Sequence, residues 1–234
     1  MSEAVLIIPA YGEAETLGRV LAEVDRALTG YEVVVVDDGS QDATASIAEA
    51  AGARVIRHPF NLGYGAALQT GYKYALQRGA SLVVQMDADG QHDPREIPRL
   101  AAPVVAGECD LMVGSRFLEA TGYRHGFLRA LGRQLFRGLA RLAGLRVSDP
   151  TSGFQAMNLE VLKVYTQNFF PADYPDVDVL LAAYRHGLRV AECPVHMKPG
   201  VRSSTLHAGL RPVYYAYKMI LSTWSASASG RRAG

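Results

Sequence analysis

Two carboxylates stand two residues apart in Asp87-Ala88-Asp89-Gly90-Gln91-His92, directly after the apolar run Leu82-Val83-Val84-Gln85-Met86. On a turning loop, side chains at i and i+2 can converge on one hard divalent cation. Mg2+ and Mn2+ favour oxygen ligands and keep positions open for water or phosphate oxygens. Such an ion would bridge a diphosphate and stabilise the charge growing on a leaving group. Asp87 and Asp89 are therefore candidate metal ligands. Gln91 is a further candidate oxygen donor, and His92 is a softer, poorer one. A solvated Asp-rich turn capping the helix after Pro94 would use the same residues. What favours the metal is the position of the motif at the end of a buried strand.

A second acidic group, Asp37-Asp38-Gly39-Ser40-Gln41-Asp42, ends another Val-rich run. A carboxylate there can accept hydrogen bonds from a base N–H or a ribose hydroxyl. Ser and Asp also cap helices by accepting orphan backbone amides. Ser40 and Asp42 are assigned to capping and Asp38 to the ligand.

These acids need a scaffold that delivers them to one edge. Residues 5–8, 32–36, 53–57 and 81–86 read as strands, with helices predicted over 13–28, 42–51 and 64–77. The strands are continuously apolar rather than alternating, which fits a parallel sheet covered on both faces. The β-α-β-α rhythm implies right-handed crossovers in an α/β fold. Ligands of such sheets bind beyond the carboxyl ends of the strands, where Asp37, Asp38, Asp87 and Asp89 fall. Further on, 110–114 and 189–195 read as strands, and 127–142, 161–165, 177–186 and 211–224 as helices. The tail 225–234 is small, polar and basic, and is expected to be disordered. No internal repeat or Pro/Ser-rich linker divides the chain. The expectation is one domain over 1–224, with a nucleotide-sugar half (1–115) and an acceptor-facing half (116–224).

Composition narrows the class. The 234 residues are 49% hydrophobic and 20% charged, with a net charge of +1, as expected for a globular domain. The charge is unevenly spread. No acid follows Cys193, whereas Lys198, Arg202, Arg211, Lys218, Arg231 and Arg232 do. Such basic regions attract phosphate or anionic lipid. Acidic strand ends argue against a nucleic-acid-binding module, since they repel a phosphate backbone. Cys109 and Cys193 carry no motif and read as thiols in a reducing compartment. No leader is expected, and no run approaches the roughly 18 apolar residues of a membrane span. The reading is therefore cytoplasmic, with any membrane contact peripheral.

Six ordered segments carry a resemblance. They are Pro9-Ala10-Tyr11-Gly12-Glu13, Val35-Val36-Asp37-Asp38-Gly39-Ser40, Asn61-Leu62-Gly63-Tyr64-Gly65, Asp87-Ala88-Asp89-Gly90-Gln91-His92, Gly114-Ser115-Arg116 and Asp149-Pro150-Thr151-Ser152-Gly153-Phe154. Together they resemble family 2 glycosyltransferases, in the dolichyl/polyprenyl-phosphate mannose (or glucose) synthase-like branch, from about residue 5 to 218. The resemblance implies a GT-A fold: a Rossmann-like, mostly parallel sheet flanked by helices on both faces. It implies inverting transfer of a hexose from a nucleoside-diphosphate sugar, of the GDP-mannose or UDP-glucose type, to a polyprenyl phosphate. The alternative is transfer to a saccharide hydroxyl in cell-envelope polysaccharide synthesis. By position, Pro9, Tyr11 and Glu13 would line the nucleotide pocket and Asp38 would touch base or ribose. Asp87 would lie near the donor or the metal, Asp89 would bind the metal, and Gln91 would assist. Gly12 departs from the Asn usual in the family.

A lipid-phosphate acceptor is already an anionic nucleophile, so its site needs cations rather than a strong base. Arg116 matches an acceptor-phosphate arginine of the resembled branch. Arg129, Arg133, Arg137 and Arg141 recur every four residues and would form one cationic stripe on a helix; Arg129 and Arg133 are the candidates for the acceptor phosphate. Such a basic amphipathic helix can also rest on an anionic membrane surface. The resemblance places Asp149 and Ser152 beside donor sugar and acceptor. It makes Asp178 a base if the acceptor is a hydroxyl. It also makes residues 198–204 a mobile loop, in which Arg202 would clamp the diphosphate and Ser203 would add a hydrogen bond. A membrane-protein partner would fit a chain with no span of its own.

Overall fold

The computed structural model describes residues 4–118, 138, 141 and 144–198. Its strands are β1 (Ala4–Ala10), β2 (Tyr31–Asp37), β3 (Arg54–Arg57), β4 (Leu82–Gln85), β5 (Leu111–Ser115), β6 (Gln155–Asn158) and β7 (Val190–Pro194). The helices are α1 (Leu17–Ala27), α2 (Thr44–Ala50), α3 (Tyr64–Arg78), α4 (Ile97–Val105), α5 (Leu159–Tyr165) and α6 (Val177–Arg185), with a short 3-10 turn at Pro94–Glu96. One sheet runs β3-β2-β1-β4-β6-β5-β7. Its pairs are parallel except those of β6, which runs antiparallel to β4 and β5.

The apolar runs make the central strands for a simple reason. Side chains alternate across a sheet, so a strand covered on both faces must be apolar at every position. Val5 and Ile7 of β1 pack with Val34 and Val36 of β2 against α3, α5 and α6. Leu6 and Ile8 pack with Val35 of β2 against α1, α2 and α4. All four β1 side chains are fully buried, each contributing roughly 1.5–3 kcal/mol of transfer free energy.

Local chemistry shifts several boundaries. The helix predicted from residue 13 starts at Leu17, because the Glu13 carbonyl accepts the amides of Thr16 and Leu17 in a preceding turn. Helix α2 starts at Thr44 rather than 42, since the Asp42 carboxylate folds back onto the amides of Thr44 and Ala14. Strand β6 was not anticipated, and follows the Asp149–Phe154 segment directly. Of the predicted helix 127–142 only residues 138 and 141 are described; 211–224 and the tail lie outside the described residues. Among the described residues, no helix is long and apolar enough to cross a membrane.

Candidate active site

Strand β4 delivers the paired carboxylates to the sheet's carboxyl edge. The Met86 amide still donates to Ile7 O of β1 at 3.1 Å, and Asp87 is the next residue. Its amide donates to His92 Nδ1 at 2.9 Å, closing the loop on itself. Because that ring nitrogen accepts, the proton of a neutral His92 sits on Nε2, which lies 3.6 Å from Asp87 Oδ2. The buried imidazole stacks on Phe154, centroids 4.7 Å apart. His92 therefore braces Asp87. From the other side, the Tyr64 hydroxyl of α3 donates to Asp87 Oδ1 at 2.7 Å.

Asp89 accepts the Gln91 amide at Oδ1, 2.9 Å, and the Gln91 side-chain N–H at Oδ2, 2.5 Å. Gln91, a candidate oxygen ligand from the sequence, thus holds Asp89 in place here. Burial, and then the charge of Asp87, lift the Asp89 carboxyl above its ordinary value. The loop is tied down by the 196–198 segment: Lys198 N donates to Gln91 O at 2.8 Å, and Met197 bridges to His92.

These residues fit a divalent cation on two observations. Two acids stand at the sheet rim, close enough that the Asp87 charge acts on the Asp89 carboxyl. Opposite them is Gly153, where an added Cβ would come within 3.1 and 3.2 Å of the Asp87 oxygens. Among the described residues, no group of three or more His, Cys, Asp or Glu side chains converges. The chain thus offers two carboxylates and leaves the other positions to water and ligand, as Mg2+ and Mn2+ sites on diphosphates do.

The nucleotide-side candidates lie on the loops after β1 and β2, and these loops are stitched together. Ser40 Oγ accepts the Gly12 amide at 3.0 Å, Thr44 Oγ1 accepts that of Glu13 at 2.9 Å, and Asp42 accepts that of Ala14 at 3.2 Å. Ser40, expected to cap α2, instead anchors the β1–α1 loop, because its buried hydroxyl faces that loop across the sheet edge. Gly12 has φ +69°, a left-handed conformation that Gly adopts freely and Asn tolerates. That accounts for its standing where the resembled family has Asn. Pro9 is buried within β1, Tyr11 is 54% exposed, and the Glu13 carboxylate accepts the Thr16 hydroxyl at 2.6 Å.

Asp38 does more within the protein than its motif suggested. Oδ1 accepts the Leu62 amide at 2.9 Å and faces His58 Nδ1 at 2.7 Å; Oδ2 accepts the Gly63 amide at 2.9 Å. His58 Nε2 meets Thr70 Oγ1 of α3 at 2.9 Å. The buried carboxylate so fixes the entry to α3, and with it Tyr64. A cavity of about 270 Å³ beside this network is lined by Gly39, Gln41, Arg57, His58 and Pro59.

Among the candidates for the acceptor, Arg116 at the end of β5 forms a two-pronged pair with Asp149. The Asp149 and Ser148 amides donate to Glu192 of β7, at 2.9 and 2.7 Å. Ser152 donates its buried hydroxyl to Gly114 O at 2.6 Å and so shapes the turn. Asp178, in the first turn of α6, is buried and accepts the amides of Asp176 and Val179 at Oδ1. Arg129, Arg133, Arg202 and Ser203 lie outside the described residues. The 149–154 turn thus joins two sets of candidates: Gly153 and Phe154 touch the carboxylate loop, and Asp149 holds Arg116. Sequence reasoning passed over Tyr64, His58 and Glu192. Tyr64 stood inside a quoted motif, but nothing marked its target, and Glu192 was one acid within an apolar strand.

The family model described as Glycosyl transferase family 2 matches residues 5–166. Among relatives, a polyprenol monophosphomannose synthase of Mycolicibacterium smegmatis is 33% identical, covering 82% of this chain and 76% of its own. An undecaprenyl-phosphate mannosyltransferase of Micrococcus luteus is 30% identical, covering 81% of each. The fold matches the crystal structure of glucosyl-3-phosphoglycerate synthase from Mycobacterium tuberculosis in complex with Mn2+, UDP and glucosyl-3-phosphoglycerate. That match has a TM-score of 0.73 at 24% identity, over 95% of this chain and 79% of that one. Its GT-A architecture is the one assembled above. With the family match spanning most of its length, this chain belongs to glycosyl transferase family 2.

Proposed function

We propose that this glycosyltransferase moves a hexose, with inversion, from a nucleoside-diphosphate sugar to a polyprenyl phosphate, using Mg2+ or Mn2+ held by Asp87 and Asp89. The observation that carries the reading is the apposition of two structures: the Asp87–Asp89 rim and the 149–154 turn that fixes Arg116. Relatives named for transfer to polyprenyl and undecaprenyl phosphate support the acceptor class. The Mn2+ and UDP of the fold neighbour agree with the donor side.

The bound cation would neutralise the diphosphate and ease its departure. The chain's own groups do the rest. Pro9, Tyr11, Glu13 and Asp38 form or hold the nucleotide end, Asp38 by setting the loop into α3. A phosphate oxygen of the acceptor attacks the anomeric carbon as the bond to the diphosphate oxygen breaks, and no proton has to leave the nucleophile. Arg116 holds the acceptor phosphate against the repulsion of the diphosphate, with Asp149 and Ser152 keeping it and its turn in position. Arg129, Arg133, Arg202 and Ser203 are assigned supporting contacts to the two phosphate groups. Asp178 would act as base only for a hydroxyl acceptor; its Oδ1 is engaged by two backbone amides, which favours the phosphate acceptor. The donor-handling half is 1–115 and the acceptor-handling half 116–224. The work is placed at the cytoplasmic face of a membrane, where the enzyme binds peripherally or through a membrane-protein partner.

The test is transfer from radiolabelled GDP-mannose and UDP-glucose to undecaprenyl phosphate, with and without chelator. Lipid-extractable label that disappears with chelator is expected. Label found only in a saccharide product, or full transfer in excess chelator, overturns the reading.

A further inference from the structure

Asp87 is held by a buried chain of side chains that all donate in one direction. The Tyr72 hydroxyl of α3 donates to Gln85 Oε1 at the end of β4. Gln85 Nε2 donates to the Tyr64 hydroxyl oxygen at 3.4 Å, and Tyr64 donates to Asp87 Oδ1 at 2.7 Å. Tyr72 and Gln85 are 1% and 3% exposed. Of these three side chains it is Tyr64 that bonds Asp87; Gln85 and Tyr72 stand behind it. Gly153 closes the arrangement, since an added Cβ would sit 2.9 Å from Tyr64 Oη and 3.1 Å from Asp87 Oδ2.

We infer that Tyr64 is a positioning residue for the cation site: by engaging Oδ1 of Asp87 it holds the carboxylate in one rotamer, in which it would meet a divalent ion. The inference rests on the metal-dependent reading above and adds a partner to it. An unrestrained Asp side chain must lose rotamer freedom when the ion binds; one already held does not.

Mn2+ binding, followed by the electron paramagnetic resonance of free Mn2+ in the presence of UDP or GDP, tests this without any turnover. Tyr64→Phe should weaken Mn2+ binding by roughly ten- to a hundredfold, as loss of an outer partner of a metal ligand does. Tyr72→Phe removes a hydroxyl two side chains back from Asp87, keeps the Tyr64–Asp87 hydrogen bond, and should leave Mn2+ affinity at the wild-type value. Gly153→Ala keeps every hydroxyl but drives a methyl between Tyr64 and Asp87, and should weaken binding as Tyr64→Phe does. It carries the test if Tyr64→Phe fails to fold. Wild-type Mn2+ affinity in folded Tyr64→Phe, or in Gly153→Ala where Tyr64→Phe cannot be purified, overturns the inference. So does an equal loss in Tyr72→Phe, which would mark a general loosening of the core. A wild-type protein that binds no Mn2+ with either nucleotide brings down the metal reading itself, and the inference with it.

Discussion

Arg116 lies along Asp149 with both prongs of its fork engaged: Nε is 2.6 Å from Oδ2 and Nη2 is 2.7 Å from Oδ1. The carboxylate is fully buried and the guanidinium side chain is 22% exposed. A planar two-bond contact of this kind fixes orientation as well as charge, which a lysine cannot do. Asp149→Asn should therefore destabilise the fold by about 3 kcal/mol, the cost of leaving one member of a buried pair without its partner. Urea unfolding measures it. Arg116→Lys should raise KM for polyprenyl phosphate by about tenfold, the scale of one charged hydrogen bond, while KM for the donor stays put. An unchanged acceptor KM would remove Arg116 from the acceptor site.

Asp89→Asn should lower turnover by about three orders of magnitude or more, in line with the several kcal/mol a bound cation contributes. The fold should not suffer. Burial and the neighbouring Asp87 already disfavour the Asp89 charge, so removing it relieves a strain in the metal-free chain. The expected pair of results is a thermal midpoint at or above wild type and no product. Near-wild-type turnover would take Asp89 out of the chemistry.

Gly65 packs the start of α3 against the 171–172 backbone, and an added Cβ would lie 2.0 Å from Pro171 O and 2.9 Å from Ala172 O. Backbone does not swing aside as a side chain can. Gly65→Ala should cost about 3 kcal/mol, at the upper end for overpacking. For a chain of this size that is a fall of about 6–12 °C in Tm, readable by circular dichroism. A shift within error would mean that the loop yields.

Asp110 supplies a pH signature far from the catalytic rim. The side-chain hydrogen bonds of Arg189 hold its carboxyl down from 3.8 to about 2, with the Asn158 amide adding to them. A pKa depressed in the folded state contributes stability above the unfolded value and loses it as pH falls through the folded one. Wild type should accordingly shed this contribution between about pH 4 and pH 2. Asp110→Asn should be less stable at neutral pH and converge on wild type toward pH 2. Parallel curves across that window would contradict the assignment.

The central strands were readable because two covered faces force a continuous run of Val, Ile and Leu, and β1 and β2 carry it without a break. Strand β6 was not readable. Two of its four residues are Gln and Asn, and it is a strand because β4 and β5 pair with it on either side. The acids at strand ends were visible for the converse reason: a carboxylate that ends an apolar run must sit at an edge. The partners of those acids were not visible. Asp38 meets His58 across twenty residues, and Tyr64 meets Asp87 across a whole crossover. Glu192 reaches Asp149 across 43 residues. Such contacts are set by how the sheet is threaded, and no local spacing encodes them.

The reversed direction of β6 also bears on how this frame can change over time. Since β6 runs against β4, the 149–154 turn reaches the rim on its way into the sheet, whereas the carboxylate loop reaches it on the way out. Among the described residues, Gly153 and Phe154 bring the two banks into contact. Insertions and deletions on the recipient's bank can thus accumulate without tugging on the leaving-group bank. One catalytic edge can then be kept while the lineage explores new molecules to decorate.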